Sequence, residues 1–155
     1  MTEFLAIALG GAVGALLRWG IMLGMTNVLR ESFPFGTLLV NVVGSLLIGI
    51  AFVCLVERIQ TEGIAASPAF KSAVMIGVLG AFTTFSTFSL QTLEMLIDGR
   101  WMAGSLYVSS SVVLCLLATA LGIGLARLLP LTRLSLVTFV LNRVPTAKMR
   151  PSPEV

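Results

Sequence analysis

Apolar residues fall into four long runs, at positions 4–25, 35–56, 72–93 and 102–126, separated by polar and chain-breaking residues. A hydrocarbon core about 30 Å thick takes roughly 20 apolar residues in a helix, so each run is long enough to cross a bilayer. The separators carry the charges and the turn chemistry: Arg30-Glu31-Ser32-Phe33-Pro34, then residues 57–71 with Gly63 and Pro68, then Asp98-Gly99-Arg100. Trp19 and Trp101 lie near run ends, where an indole suits the headgroup layer. The pattern predicts an all-α membrane protein with four transmembrane helices.

The third run is interrupted. Gly77-Val-Leu-Gly-Ala-Phe-Thr-Thr-Phe-Ser-Thr-Phe-Ser89 places two glycines, five hydroxyls and three phenylalanines where burial in lipid favours a plain helix. The glycines weaken helical preference, and threonine hydroxyls can serve backbone groups freed by a local break. Irregular backbone at membrane depth survives only where protein buries it or a wet cavity adjoins it. A break in the third helix, and a site beside it, are the expectation.

Polar positions in the neighbouring runs sharpen that expectation. Thr37, Asn41 and Ser45 are four apart and share one helix face. An unpaired amide in an apolar medium costs roughly 2–7 kcal/mol, so Asn41 needs a partner. Either it bonds to another helix, or it donates to a small hydrated anion that must pass rather than stick. Phe82, Phe85 and Phe88 recur every three residues. Such a stripe ordinarily packs in a core or faces lipid, but hydroxyls interleave this one, and the positive edges of aromatic rings can flank an anion. Carbonyls freed at Gly80 or Thr83 have the opposite use, holding a cation. Arg18 lies roughly 21 Å along a helix from Phe4. It either snorkels to the headgroups or draws an anion into a vestibule. Gly10, Gly11 and Gly14 in the first run, and the serines, Thr119, Gly122 and Gly124 of the fourth, read as helix-packing surface, with Thr119 adding a hydroxyl to the polar track.

Composition agrees: 57% of the 155 residues are hydrophobic and 11% charged, with a mean hydropathy of +1.02, against about 25% charged in soluble domains. Histidine is absent, which excludes histidine metal sites, histidine bases and serine–histidine triads. Cys54 and Cys115 fall in different runs and read as small buried hydrophobes. Met1-Thr2-Glu3 lacks a basic leader, so the first run is expected to stay in the membrane. Residues 1–129 form one bundle, and residues 130–155 read as a short interfacial segment and a disordered, proline-containing basic tail. No groove-reading motif accompanies the basic residues, so nucleic acid is not an expected partner.

Gly10-Gly-Ala-Val-Gly-Ala-Leu-Leu-Arg-Trp19, Gly36-Thr-Leu-Leu-Val-Asn-Val-Val-Gly44 and residues 77–89 together resemble the Fluc/CrcB fluoride channels. The resemblance covers roughly residues 4–128. It implies an antiparallel, dual-topology homodimer in the cell inner membrane, with two fluoride pores along the subunit interface and a central structural sodium ion. By motif position it implies Asn41, Thr37, Phe85, Phe88, Ser86, Thr87 and Thr119 along the fluoride pathway. Arg18 and Gln91 fall at the vestibule, and the backbone carbonyls of Gly80 and Thr83 on the sodium. Two positions depart from the family pattern: Gln91 stands where a glutamate is common, and Cys115 where a hydroxyl is expected. Phe82 falls outside the pore pair and is assigned to packing.

With four spans, Arg58, Lys71 and Arg127 on one side balance Arg18, Arg30 and Arg100 on the other. Lys and Arg bias sets orientation, so this balance fits insertion both ways, although Arg133, Arg143, Lys148 and Arg150 weight the C-terminal side. The competing function is a small proton-coupled multidrug exporter. It needs a membrane-embedded carboxylate, whereas Glu3, Glu57 and Glu94 all sit at or near run ends. A non-transporting structural subunit leaves the polar stripe and the break unexplained. An enzyme lacks a nucleophile–base pair.

Overall fold

A computed structural model describes residues 1–28, 33–57 and 67–128; the expected interfacial segment and tail at 130–155 lie outside the described residues. The described chain is helical and contains four helical segments long and apolar enough to cross a membrane. This is a multi-pass membrane protein. Helix α1 spans Thr2–Val28, and α2 spans Phe35–Phe52 and continues as π-helix through Val53–Glu57. The third span is assembled from pieces. Its first part, α3 (residues 68–82), runs from Pro68–Ser72 through a π-helical stretch, Ala73–Leu79, to Gly80–Phe82. Helix α4 is Phe85–Ile97, and α5 is Trp101–Leu128.

The ends have local causes. Ser67 Oγ accepts from Phe70 N at 3.3 Å and Pro68 follows it at the first helical position, so α3 begins well before the apolar run does. Gly99, at φ 74°, turns the chain between α4 and α5 in a conformation that side chains other than glycine rarely adopt.

Two helix pairs carry the packing: α2 lies along α5, and α1 lies along α3. Each closes on glycine. A methyl group at Gly122 would overlap the Leu46 carbonyl, and one at Gly49 the Thr119 carbonyl, so α2 and α5 meet backbone to backbone. Gly10 and Gly14 press on the carbonyls of Ala73 and Val78 in the same way, whereas Gly11 and Gly124 face open space. In lipid, where apolar burial gives helices no mutual drive, such close approach gains dispersion contact. At one end of the bundle Arg127 forks onto Glu57, with Nε donating to Oε2 at 3.1 Å and Nη2 to Oε1, tying the end of α5 to the end of α2. Much of the outer surface is apolar, including Leu16, Trp19, Trp101 and Leu116, as a lipid-facing surface requires.

Candidate functional site

The polar centre of the molecule is the junction between α3 and α4. Thr83 (φ −79°, ψ 157°) and Thr84 (φ −147°, ψ 113°) are extended, and helix resumes at Phe85. In an unbroken helix the Thr84 N–H would bond to Gly80 O. Here it donates to Asn41 Oδ1 at 2.8 Å, and Asn41 Nδ2 donates to Thr84 O at 3.0 Å. The carboxamide thus pairs with a peptide group as a neighbouring strand would. Thr83 N still donates to Leu79 O at 3.2 Å, and Thr83 O accepts from Arg18 Nη1 at 3.4 Å. All four backbone groups of the two extended residues are therefore matched, as buried backbone requires. The Gly80 carbonyl has lost its helical donor.

Thr84 also starts α4. Its Oγ1 accepts from Thr87 N at 3.2 Å and donates to Thr87 Oγ1 at 2.9 Å, with Ser86 Oγ 3.3 Å away. This is an N-cap built inside a transmembrane span.

A cavity of about 360 Å³ opens beside the junction. Helix α2 contributes Asn41, Gly44 and Ser45, and α3 contributes Met75, Leu79 and Gly80; Thr83 and Thr84 also line it. Phe85 and Phe88 come from α4, and Ser111, Val112 and Cys115 from α5. The two phenylalanine rings are tilted, 5.4 Å between centroids, and Phe88 lies 5.2 Å from the ring of Tyr107. Tyr107 is fully buried and donates to Gln91 Oε1 at 3.0 Å. Phe85 is 78% exposed, a large exposure for an aromatic ring beside a polar junction.

The structure brings Asn41, Gly80, Thr83, Phe85 and Phe88 together around this one cavity. Arg18 reaches it through the Thr83 carbonyl, and Gln91 adjoins it through Tyr107 and Phe88. Ser86 and Thr87 sit at the start of α4, engaged with Thr84 and outside the cavity lining. Thr37 is buried on α2 beside the Tyr107 hydroxyl and does not line the cavity. Thr119 returns its hydroxyl to Cys115 O at 3.0 Å and does not line the cavity, so its polar group serves its own helix. Cys115 is half-buried and faces the cavity, contrary to the reading of both cysteines as buried packing. Phe82 is buried in packing.

Three contributors were not singled out from sequence: Thr84 as the paired residue, Tyr107 and Ser111. A signal for the last two existed. Tyr107, Ser111 and Cys115 repeat the four-residue spacing of Thr37, Asn41 and Ser45. Ser109 and Ser110 bond back to the carbonyls of Ser105 and Tyr107, whereas the buried Ser111 hydroxyl has no such partner.

Residues 5–123 match the family described as "CrcB-like protein, Camphor Resistance (CrcB)". The chain belongs to the CrcB family. The match bears out the resemblance carried by the three motifs. Similar proteins include the "Fluoride-specific ion channel FluC" of Hahella chejuensis, 45% identical over 123 residues, which are 79% of this chain and 93% of that protein. The same name belongs to a Shewanella baltica OS155 protein, 47% identical over 122 residues, 79% of this chain and 94% of its own length. A third, from Methylococcus capsulatus, is 47% identical over 122 residues, which span 79% of this chain but only 51% of that longer protein. These CrcB relatives are named as ion channels, not as enzymes. The CrcB match stops before residue 130, so the basic tail is outside the shared core.

Proposed function

We propose that this CrcB family member is a fluoride channel that lets fluoride leave the cell passively across the inner membrane. The observation that carries the reading is the Asn41–Thr84 pairing at the edge of a cavity lined by Phe85 and Phe88. Asn41 Nδ2 has a second hydrogen besides the one given to Thr84, so the residue can hold the backbone and still offer a neutral donor to an anion. Ser45 and Ser111 line the same space, and aromatic edges flank it. Together these groups replace part of the water around fluoride, while the phenylalanines exclude larger anions. Relatives at 45–47% identity that are named fluoride-specific channels support the same substrate.

The working unit in this reading is an antiparallel homodimer with two pores. Support comes from Phe85, which a single chain leaves 78% exposed beside its polar junction. A second copy would cover that ring and close the cavity into a conduit. Sodium fits the donor set at the junction. Gly80 O has lost its helical donor, and Thr83 O uses one lone pair on Arg18 and retains another. These are hard oxygen donors of the kind that unwound membrane helices offer to sodium. One chain supplies an incomplete shell, and the same two carbonyls of a second copy would double it. Bound there, sodium would supply positive charge that holds two broken helices together.

The test is efflux from liposomes containing the purified protein, followed with a fluoride electrode and a chloride electrode. Rapid fluoride release with chloride retained is the expected result; equal retention of both ions contradicts the channel reading.

A further inference from the structure

Two sulfur-bearing residues that anion passage does not use line the cavity. Cys115 projects from α5 and Met75 from the π-helical part of α3, and both residues line the same space of about 360 Å³. Neither residue is fully buried, and Cys115 is in no disulfide. One helical turn before Cys115, Ser111 lines the same cavity at 6% exposure, and its hydroxyl has no hydrogen-bond partner among the described residues. Leaving a buried hydroxyl unmatched costs about 1–3 kcal/mol, so this group is set to serve an occupant of the cavity.

We propose that Cys115 and Met75, assisted by Ser111, form a soft-metal site that takes a monovalent d10 cation such as Ag⁺ or Cu⁺. Thiol and thioether ligands select such ions, whereas hard cations prefer oxygen. The bond balances simply: the cation replaces the thiol proton, which leaves to solvent, and the thioether adds as a neutral second ligand. Thiolate and cation cancel in charge, which a cavity at membrane depth favours over an isolated ion. Ser111 then bonds to water retained by the metal. A cation seated there fills the space between Asn41 and the two phenylalanines and closes the fluoride path. Binding does not depend on the channel reading; closure does.

Silver is the probe, used in nitrate buffer because chloride precipitates it, with free methionine as competitor. Full-length protein with Cys54→Ala keeps Cys115 as its only thiol. That protein is expected to retain one Ag⁺ per chain after desalting, measured by elemental analysis. Adding Met75→Leu, close in volume, should weaken retention at least about tenfold, and adding Ser111→Ala should weaken it less. Adding Cys115→Ser, or capping the folded Cys54→Ala protein with N-ethylmaleimide, should abolish it. No retained silver in Cys54→Ala protein overturns the site, and so does retention indifferent to Met75→Leu, which would mean a bare thiol. In liposomes, with each protein compared with its own silver-free rate, silver should stop fluoride efflux through the Cys54→Ala protein and leave the rate of Cys54→Ala/Cys115→Ser, whatever its silver-free value, unchanged. Silver held with efflux undiminished overturns the closure. Absence of efflux before silver is added sinks the channel reading, and the silver count still decides the site.

Discussion

Asn41 and Thr84 exchange a pair of hydrogen bonds, 2.8 and 3.0 Å long, across 43 residues of sequence. One carboxamide thereby satisfies both backbone groups of a residue that has left the helix in the middle of a span. The same residue faces the cavity, so the side chain that holds the junction open also contributes to what it is open for. Thr84 is only 5% exposed, and water is a poor substitute partner there. Asn41→Ala leaves the Thr84 N–H and C=O unmatched at about 1–3 kcal/mol each. Unfolding of the purified variant in detergent should therefore show a loss of about 2–6 kcal/mol. An unchanged unfolding midpoint would mean that the pairing contributes nothing to the fold.

Phe85 and Phe88 should separate in stability while agreeing in flux. Phe88 stacks near both Phe85 and the buried Tyr107, whereas Phe85 is mostly exposed within one chain. Isoleucine keeps bulk and removes the ring quadrupole, and aromatic pairs contribute about 0.5–1.5 kcal/mol beyond area. Phe88→Ile, which loses two ring contacts, should lower the thermal midpoint more than Phe85→Ile, which loses one. Both should cut fluoride efflux. Wild-type efflux in both would remove the rings from the mechanism.

Glycine substitutions distinguish contact from coincidence. Gly122→Ala drives a methyl into the Leu46 carbonyl, while Gly124→Ala meets nothing within 4 Å. Overpacking of this kind costs about 1–3 kcal/mol. Gly122→Ala should destabilise the folded protein by that amount in a detergent unfolding titration. Gly124→Ala, which replaces glycine with a better helix former, should match wild type or exceed it.

Orientation in the membrane tests the two-copy reading. By sequence, Arg18, Arg30 and Arg100 on one side balance Arg58, Lys71 and Arg127 on the other, which fits insertion both ways, although Arg133, Arg143, Lys148 and Arg150 weight the C-terminal side. C-terminal reporters active in opposite compartments should both give signal. Signal from a single side would exclude an antiparallel pair for this chain.

The spans were legible because hydropathy over some twenty residues is a strong, local signal. Run 35–56 became helix from Phe35 through Glu57, and run 102–126 became Trp101–Leu128. The third span outran its apolar stretch, 72–93 against Pro68–Ile97, because Lys71 and Glu94 lower hydropathy without stopping a helix. The π-helical turns at Val53–Glu57 and Ala73–Leu79 carry no comparable sequence mark. The site was legible as a list of suspects. Asn41 could be marked because a lone amide needs a partner, but that partner is backbone, and backbone has no identity in sequence. For the same reason Gly10, Gly11 and Gly14 look alike on paper, although an added methyl would meet α3 only at the first and last. Thr119 looked like part of a shared track and instead bonds within its own helix, a choice that hydroxyl spacing alone does not reveal.

The central claim is that the junction held by Asn41 lies on the fluoride path, and Asn41→Asp tests it most directly. A carboxylate can still accept from Thr84 N–H, but it has no hydrogen for Thr84 O and places negative charge on the cavity wall. The measurement is the initial rate of fluoride efflux from liposomes carrying equal amounts of folded wild-type or variant protein. The expected result is a fall of at least about tenfold, the equivalent of about 1.4 kcal/mol on the barrier. Efflux at the wild-type rate through Asn41→Asp would contradict it and put the conducting route elsewhere in the bundle.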